Sequence, residues 1–211
     1  LILLTNFIKI HNLNYLKIRF FFGSFFRLFK IINMKYIIYL LFFLSTFSYT
    51  QSINWLSLNE ALEAQKIKPK KIIMDVYTEW CGPCKMMDKN TFGNRDVLNY
   101  INENFYPVKF NGEGNEKIIF FDQEFINPEF IDSRKGRNST HQLTKFLQVD
   151  VYPTIIFFSE EGDPIIPVKG YLNPREIELY LKLIKKGDYF AFRSEDDFEK
   201  YKKYFIPKFR N

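Results

Sequence analysis

Cys81 and Cys84 are the only two cysteines among 211 residues, and they follow directly on the apolar run Ile72-Ile73-Met74-Asp75-Val76-Tyr77. A run that is apolar on both faces predicts a central strand in a sheet covered on both sides. The segment Trp80-Cys81-Gly82-Pro83-Cys84 therefore stands where a buried strand hands over to the next element. Two thiols separated by two residues can close a small disulfide ring or open it again. With no other cysteine available, a redox couple is the economical reading. Two plainer readings compete with it. Half of a zinc site would need further ligands, and only His11 and His141 could supply imidazoles. A structural staple is the other, but a ring this short constrains little chain entropy.

The formal charge of +6 suggests nucleic acid or membrane as a partner until its distribution is read. Residues 1–50 carry Lys9, Lys17, Arg19, Arg27, Lys30 and Lys35 and no acid. Removing those six from the 30 basic residues leaves 24 against 24 acids. A formally neutral remainder has no electrostatic footprint for a phosphate backbone, so nucleic acid is not an expected partner. The basic excess belongs to a targeting signal. Met34-Lys35 precedes the apolar stretch Tyr36 to Leu44 and then Ser45-Thr46-Phe47-Ser48-Tyr49-Thr50-Gln51, the order of a secretory signal peptide. Cleavage is expected near Thr50-Gln51, which places the mature chain in a secreted or periplasmic setting. Residues 1–33 read as an over-extended start outside the native protein. The rival reading is an uncleaved leader that anchors the chain in a membrane and also uses Phe20 to Phe26.

Periodicity and punctuation give the remaining order. Helices are expected over Leu56 to Lys66, from the cysteine turn to about Asn90, and over Asp96 to Asn104. Strands are expected at Lys71 to Tyr77 and Tyr106 to Phe110. Residues 111–138 are polar and glycine-containing, with Ile118-Ile119-Phe120-Phe121 as a small hairpin or flap. Ser139 and Gln142 have capping-box spacing for a helix to Gln148, and Asn138-Ser139-Thr140 also fits a glycosylation sequon. Thr154 to Ser159 and Ile165 to Gly170 form a strand pair across Glu160-Glu161-Gly162-Asp163-Pro164. Asn173 and Pro174 open a helix to about Lys186, and a last helix is expected over Ser194 to Tyr204. His141 reads as a helix-surface histidine.

The stretch Ile72 to Lys85 closely resembles the active-site segment of the thioredoxin family, and the element order fits that fold over roughly residues 55–186. The resemblance implies a thioredoxin-like three-layer α/β/α sandwich with a mixed central sheet. The expected domain spans 51–188 with an insertion at about 111–138, and residues 189–211 form a helical extension. Cys81 is then expected as the exposed nucleophile, its thiolate favoured at a helix start, and Cys84 as the buried resolving thiol. Asp75, six residues before Cys81, matches the family acid that moves a proton to or from the second cysteine, and Lys109 matches the lysine paired with it. Tyr152-Pro153 matches the family's cis-proline edge, where a bound peptide adds as a strand. Gly170 matches a glycine that leaves room beside that proline. Trp80, Gly82 and Pro83 complete the expected contact surface, with core packing an equal alternative for Trp80.

The expected activity is that of a secreted thiol–disulfide oxidoreductase acting on protein or peptide disulfides, with no cofactor and no metal. The Gly-Pro pair resembles reducing members of the family, which implies a membrane-bound electron donor. An oxidase or isomerase would keep the fold and reverse the direction, and secretion favours it slightly. A non-catalytic peptide-binding module is the third reading.

Overall fold

A computed structural model describes residues 52–210. The expectations for residues 1–33, the signal peptide and its cleavage site lie outside the described residues. In chain order the elements are α1 (Leu58–Ile67), β1 (Ile72–Tyr77), α2 (Gly82–Met87), α3 (Arg95–Asn104), β2 (Tyr106–Asn111), β3 (Ile118–Phe120), β4 (Gln123–Phe125), α4 (Gln142–Phe146), β5 (Thr154–Phe158), β6 (Pro164–Lys169), α5 (Pro174–Lys186) and α6 (Glu195–Tyr204).

The main sheet runs β2-β1-β5-β6. β1 is parallel to β2 and antiparallel to β5, which is antiparallel to β6, so the sheet is mixed. The proline-containing β6, with Pro164 and Pro167, takes an edge, where a missing N–H costs least. Alternation along the strands sends side chains to opposite faces. Ile73, Ile155 and Phe157 pack with residues of α3 and α5, together with Met87 and Phe92. Ile72, Met74, Val76, Ile156 and Phe158 pack with α1, α4 and the β3–β4 hairpin. Three layers result, and the sandwich expected from the resemblance is present. Among the described residues, no helix is long and apolar enough to cross a membrane.

Most helix ends follow local chemistry. Ser57 and Glu60 close a capping box on α1, and Asn173 and Glu176 close another on α5, with Pro174 at its first position. Gly187 ends α5 at φ 78°, a left-handed conformation glycine adopts without steric cost.

Three local expectations change. The helix from the cysteine turn is α-helical only to Met87 and then widens into a π turn over Asp88–Phe92, where Thr91 Oγ1 donates to the Leu172 carbonyl. The helix expected from Ser139 is short and starts at Gln142, capped by His141. Ser139 lies two residues before the cap, and its hydroxyl donates to Asn127 Oδ1. The Asn138 side chain is likewise engaged, accepting from the Ile131 N–H and donating to the Ile131 carbonyl. His141 is fully buried, not a surface residue. Its Nδ1 accepts from the Leu143 N–H, and Nε2 contacts the Glu116 carbonyl at 2.8 Å. An accepting Nδ1 requires the hydrogen on Nε2, and burial holds the imidazole below its usual range.

Candidate active site

β1 delivers its chain end to Trp80 and Cys81, and α2 begins at Gly82. Cys81 is the N-cap residue, and its Sγ accepts from the Cys84 N–H at 3.1 Å. The two cysteines are joined as a disulfide. Gly82 and Pro83 are exposed beside it. Cys84 is buried, as expected, but Cys81 is also only 1 % exposed, which corrects the expectation of an exposed nucleophile. Trp80, the residue before Cys81, is held by three side chains. The Trp80 ring meets the Tyr152 ring edge to face, with centroids 6.1 Å apart. Its indole N–H donates to Glu113 Oε2 at 2.8 Å, and the Arg137 guanidinium lies 4.3 Å above the ring. Both Glu113 and Arg137 lie within residues 111–138. Gly112 passes so close to Tyr152 that a Cβ there would sit 2.7 Å from the phenol ring and hydroxyl.

The Tyr152–Pro153 peptide bond is cis, as the resemblance implied. The Pro153 carbonyl accepts from the Gly170 N–H at 2.8 Å. Gly170 has φ 91°, and a Cβ there would meet nothing within 4 Å. The backbone conformation therefore explains a glycine at this position without invoking space for a ligand.

Asp75 and Lys109 are register partners on the parallel strands β1 and β2, so their side chains leave the same face. Lys109 Nζ donates to Asp75 Oδ2 at 2.7 Å and also pairs with Asp88 on the π turn. The ammonium lies about 5 Å from the ring centroids of Trp55, Tyr77 and Phe92, within cation–π range of all three. It thus links a buried carboxylate to a half-exposed one. Asp75 Oδ1 has no hydrogen-bond partner among the described residues. Opposing influences act on Asp75: burial raises its pKa, Lys109 lowers it, and the nearby Asp88 charge adds to the rise. Burial prevails, and the carboxyl rises from 3.8 to about 6.

Because the native carboxyl holds its proton to higher pH than the unfolded one, the folded state binds more protons between about pH 4 and 6. Stability falls as pH rises through that window, by on the order of 3 kcal/mol. Asp75→Asn is therefore expected to raise the thermal midpoint at pH 7.5 and to flatten its decline between pH 4 and 6. Parallel pH profiles for the two proteins would count against a destabilising buried carboxylate.

The structure brings Cys81, Cys84 and Trp80 together in sequence, and joins Asp75 to Lys109 and Trp80 to Tyr152 by contact. Glu113, Arg137, Asp88 and the aromatic cage around Lys109 were not visible in the sequence. The one available hint was that a tryptophan at such a position needs an acceptor for its N–H. Both ring nitrogens of His141 face backbone groups. Among the described residues no cluster of three or more His, Cys, Asp or Glu could hold a metal.

The profile of the thioredoxin-like domain matches residues 58–185; the chain belongs to that family. It is 26 % identical over 140 residues to the thiol:disulfide interchange protein DsbD of Pectobacterium atrosepticum, covering 65 % of this chain and 20 % of that protein. It is 28 % identical over 117 residues to DsbD of Vibrio cholerae, covering 56 % of this chain and 16 % of that protein. The chain thus spans no more than a fifth of these relatives. A thioredoxin-fold protein from Helicobacter pylori superposes with a TM-score of 0.52 at 20 % identity, covering 75 % of this chain and 88 % of that one, a likeness of fold.

Proposed function

We propose that the protein is a thiol–disulfide oxidoreductase that reduces protein disulfides outside the cytoplasm. The observation that carries this reading is the Cys81–Cys84 disulfide at the head of α2. Asp75 supports it, a buried acid that burial raises to about 6, on the sheet face that Met87 and Phe92 cover. In the reduced protein the Cys81 thiolate attacks a substrate disulfide, forming a mixed disulfide and releasing one substrate thiolate. The Cys84 thiolate then attacks Cys81 Sγ, freeing the second substrate thiol and leaving the protein oxidised. Two electrons pass to the substrate. In this reading Asp75, charged above about pH 6, takes the Cys84 proton, so Asp75→Asn should also slow turnover at neutral pH. Tyr152 and the cis Pro153 offer the edge for a bound peptide, with Trp80, Gly82 and Pro83 beside it.

Reducing direction is favoured by the Gly-Pro pair, and the similarity to DsbD, named for thiol:disulfide interchange, supports the exchange chemistry in either direction. A membrane-bound electron donor would return the disulfide to the dithiol. Secretion after cleavage near Thr50-Gln51 fits this setting, and a membrane-anchored leader would serve it equally. The deciding measurement is the reduction potential of the Cys81/Cys84 pair, equilibrated against defined thiol buffers. A value near about −270 mV is expected for a reductant, whereas about −120 to −180 mV would place the protein with oxidants and isomerases.

A further inference from the structure

The 111–138 insertion is longer than the sandwich requires, and its contacts converge on one residue. Glu113 Oε2 accepts two N–H groups: the indole N–H of Trp80 at 2.8 Å and the backbone N–H of Asn138 at 2.7 Å. A single carboxylate, itself nine-tenths buried, therefore ties the two ends of the insertion to the residue before Cys81. From the far end of the insertion, the Arg137 guanidinium lies 4.3 Å from the Trp80 ring centroid. On the other side of Trp80 stands Tyr152, against which Gly112 at the near end is packed. Both aromatic side chains next to the redox pair and its proline edge are thus held by the insertion, and Cys81 is sealed to 1 % exposure.

A nucleophile must reach a disulfide sulfur along the S–S axis, so a sealed Sγ reacts only from an opened state. We propose that Glu113 and Arg137 are positioning residues that act through Trp80, holding the insertion as a cover over Cys81 that an incoming thiolate displaces. The inference rests on the exchange chemistry proposed above and adds a selectivity to it. A small thiol brings no binding surface and meets the closed form. A protein partner that engages the exposed guanidinium of Arg137 or the face of Trp80 opens the cover with its own binding energy.

The test uses the full chain in its oxidised form and dithiothreitol as the probe. One dithiothreitol thiolate attacks Cys81 Sγ, the S–S bond breaks and Cys84 leaves as a thiolate. The second dithiothreitol thiolate then closes its own ring and releases Cys81. Two electrons enter the protein, and rapid alkylation of the two new thiols followed by mass measurement gives the rate. Glu113→Ala removes two hydrogen bonds to a charged acceptor and is expected to speed reduction about tenfold, equivalent to about 1.4 kcal/mol of cover opening. Arg137→Ala removes only the cation–π contact and is expected to speed it about threefold. Glu113→Gln keeps an oxygen that can accept both N–H groups and should stay within about twofold of the parent.

Thermal midpoints, recorded on each variant, separate cover opening from loss of fold. Unchanged rates in folded Glu113→Ala and Arg137→Ala would overturn the proposal. So would a folded Glu113→Gln protein that reacts as fast as Glu113→Ala. If Glu113→Ala does not fold, the exposed Arg137 carries the test, and a parental rate in Arg137→Ala overturns it. A parent protein that reduces no protein disulfide, while the dithiothreitol rates shift as expected, would remove the proposed function and leave the cover standing.

Discussion

Cys81→Ser is expected to lower reduction of a protein disulfide by at least about a thousandfold, the scale seen when a catalytic nucleophile is removed. A serine hydroxyl does not ionise near neutral pH and forms no sulfur–sulfur bond, so neither half of the exchange can proceed. The fold should persist, because the ring that is lost closes across only two intervening residues. Cys84→Ser has a different expected outcome. Cys81 still attacks, but nothing resolves the intermediate, and the substrate remains covalently attached through Cys81. Mass measurement of the trapped adduct, with cleavage by excess thiol, distinguishes the two variants. Residual turnover in Cys81→Ser, or a Cys84→Ser protein that captures nothing, would show that the reacting group lies elsewhere.

The second large effect is on stability and does not involve the cysteines. Glu178 is fully buried on α5. Its Oε2 accepts from the backbone N–H groups of Lys208 and Phe209, each at 2.7 Å, and Oε1 pairs with Lys182. These contacts fasten the C-terminal segment to the sandwich, and Phe209 enters the core beside Tyr100. Truncating one partner of a buried charged network costs about 3–5 kcal/mol. Because Lys182 retains partial access to water, Glu178→Ala is expected at the lower end, about 3 kcal/mol. For a domain of this size that is a fall of about 10 °C in thermal midpoint. Proteolysis within residues 188–210 should become faster in the same variant. A midpoint within 2 °C of the parent would mean that the tail is held by its apolar contacts alone.

What the sequence conveyed about these sites depended on how local the cause is. The strand before the cysteines was readable because all six residues of β1 are apolar or paired, and its central place in the sheet followed from that. The start of α5 was readable because Asn173 and Pro174 carry the signal in two adjacent positions. The insertion was readable only as a small hairpin or flap at Ile118 to Phe121, where β3 and β4 do pair. Its turn, with Phe121 and Asp122 both at positive φ, carries no glycine to mark it. His141 looked like a surface residue because the Glu116 carbonyl is brought to it from 25 positions away by tertiary packing, while its other partner, the Leu143 N–H, is a local helix-cap bond. Glu113 and Arg137 lie 33 and 57 positions from Trp80, and no periodicity links residues across such distances.

The facing positions of Asp75 and Lys109 on adjacent parallel strands bear on how such a molecule could be quality-controlled. Slipping β2 by one residue against β1 would turn Lys109 to the opposite side of the sheet and leave the acid buried without its cation. A misaligned chain could still look compact and helical by spectroscopy. Its buried carboxyl, however, would lose the one influence that holds it down, and would titrate at higher pH. The titration of Asp75 is therefore a ruler for strand alignment, able to separate correctly paired molecules from compact impostors in a refolded preparation.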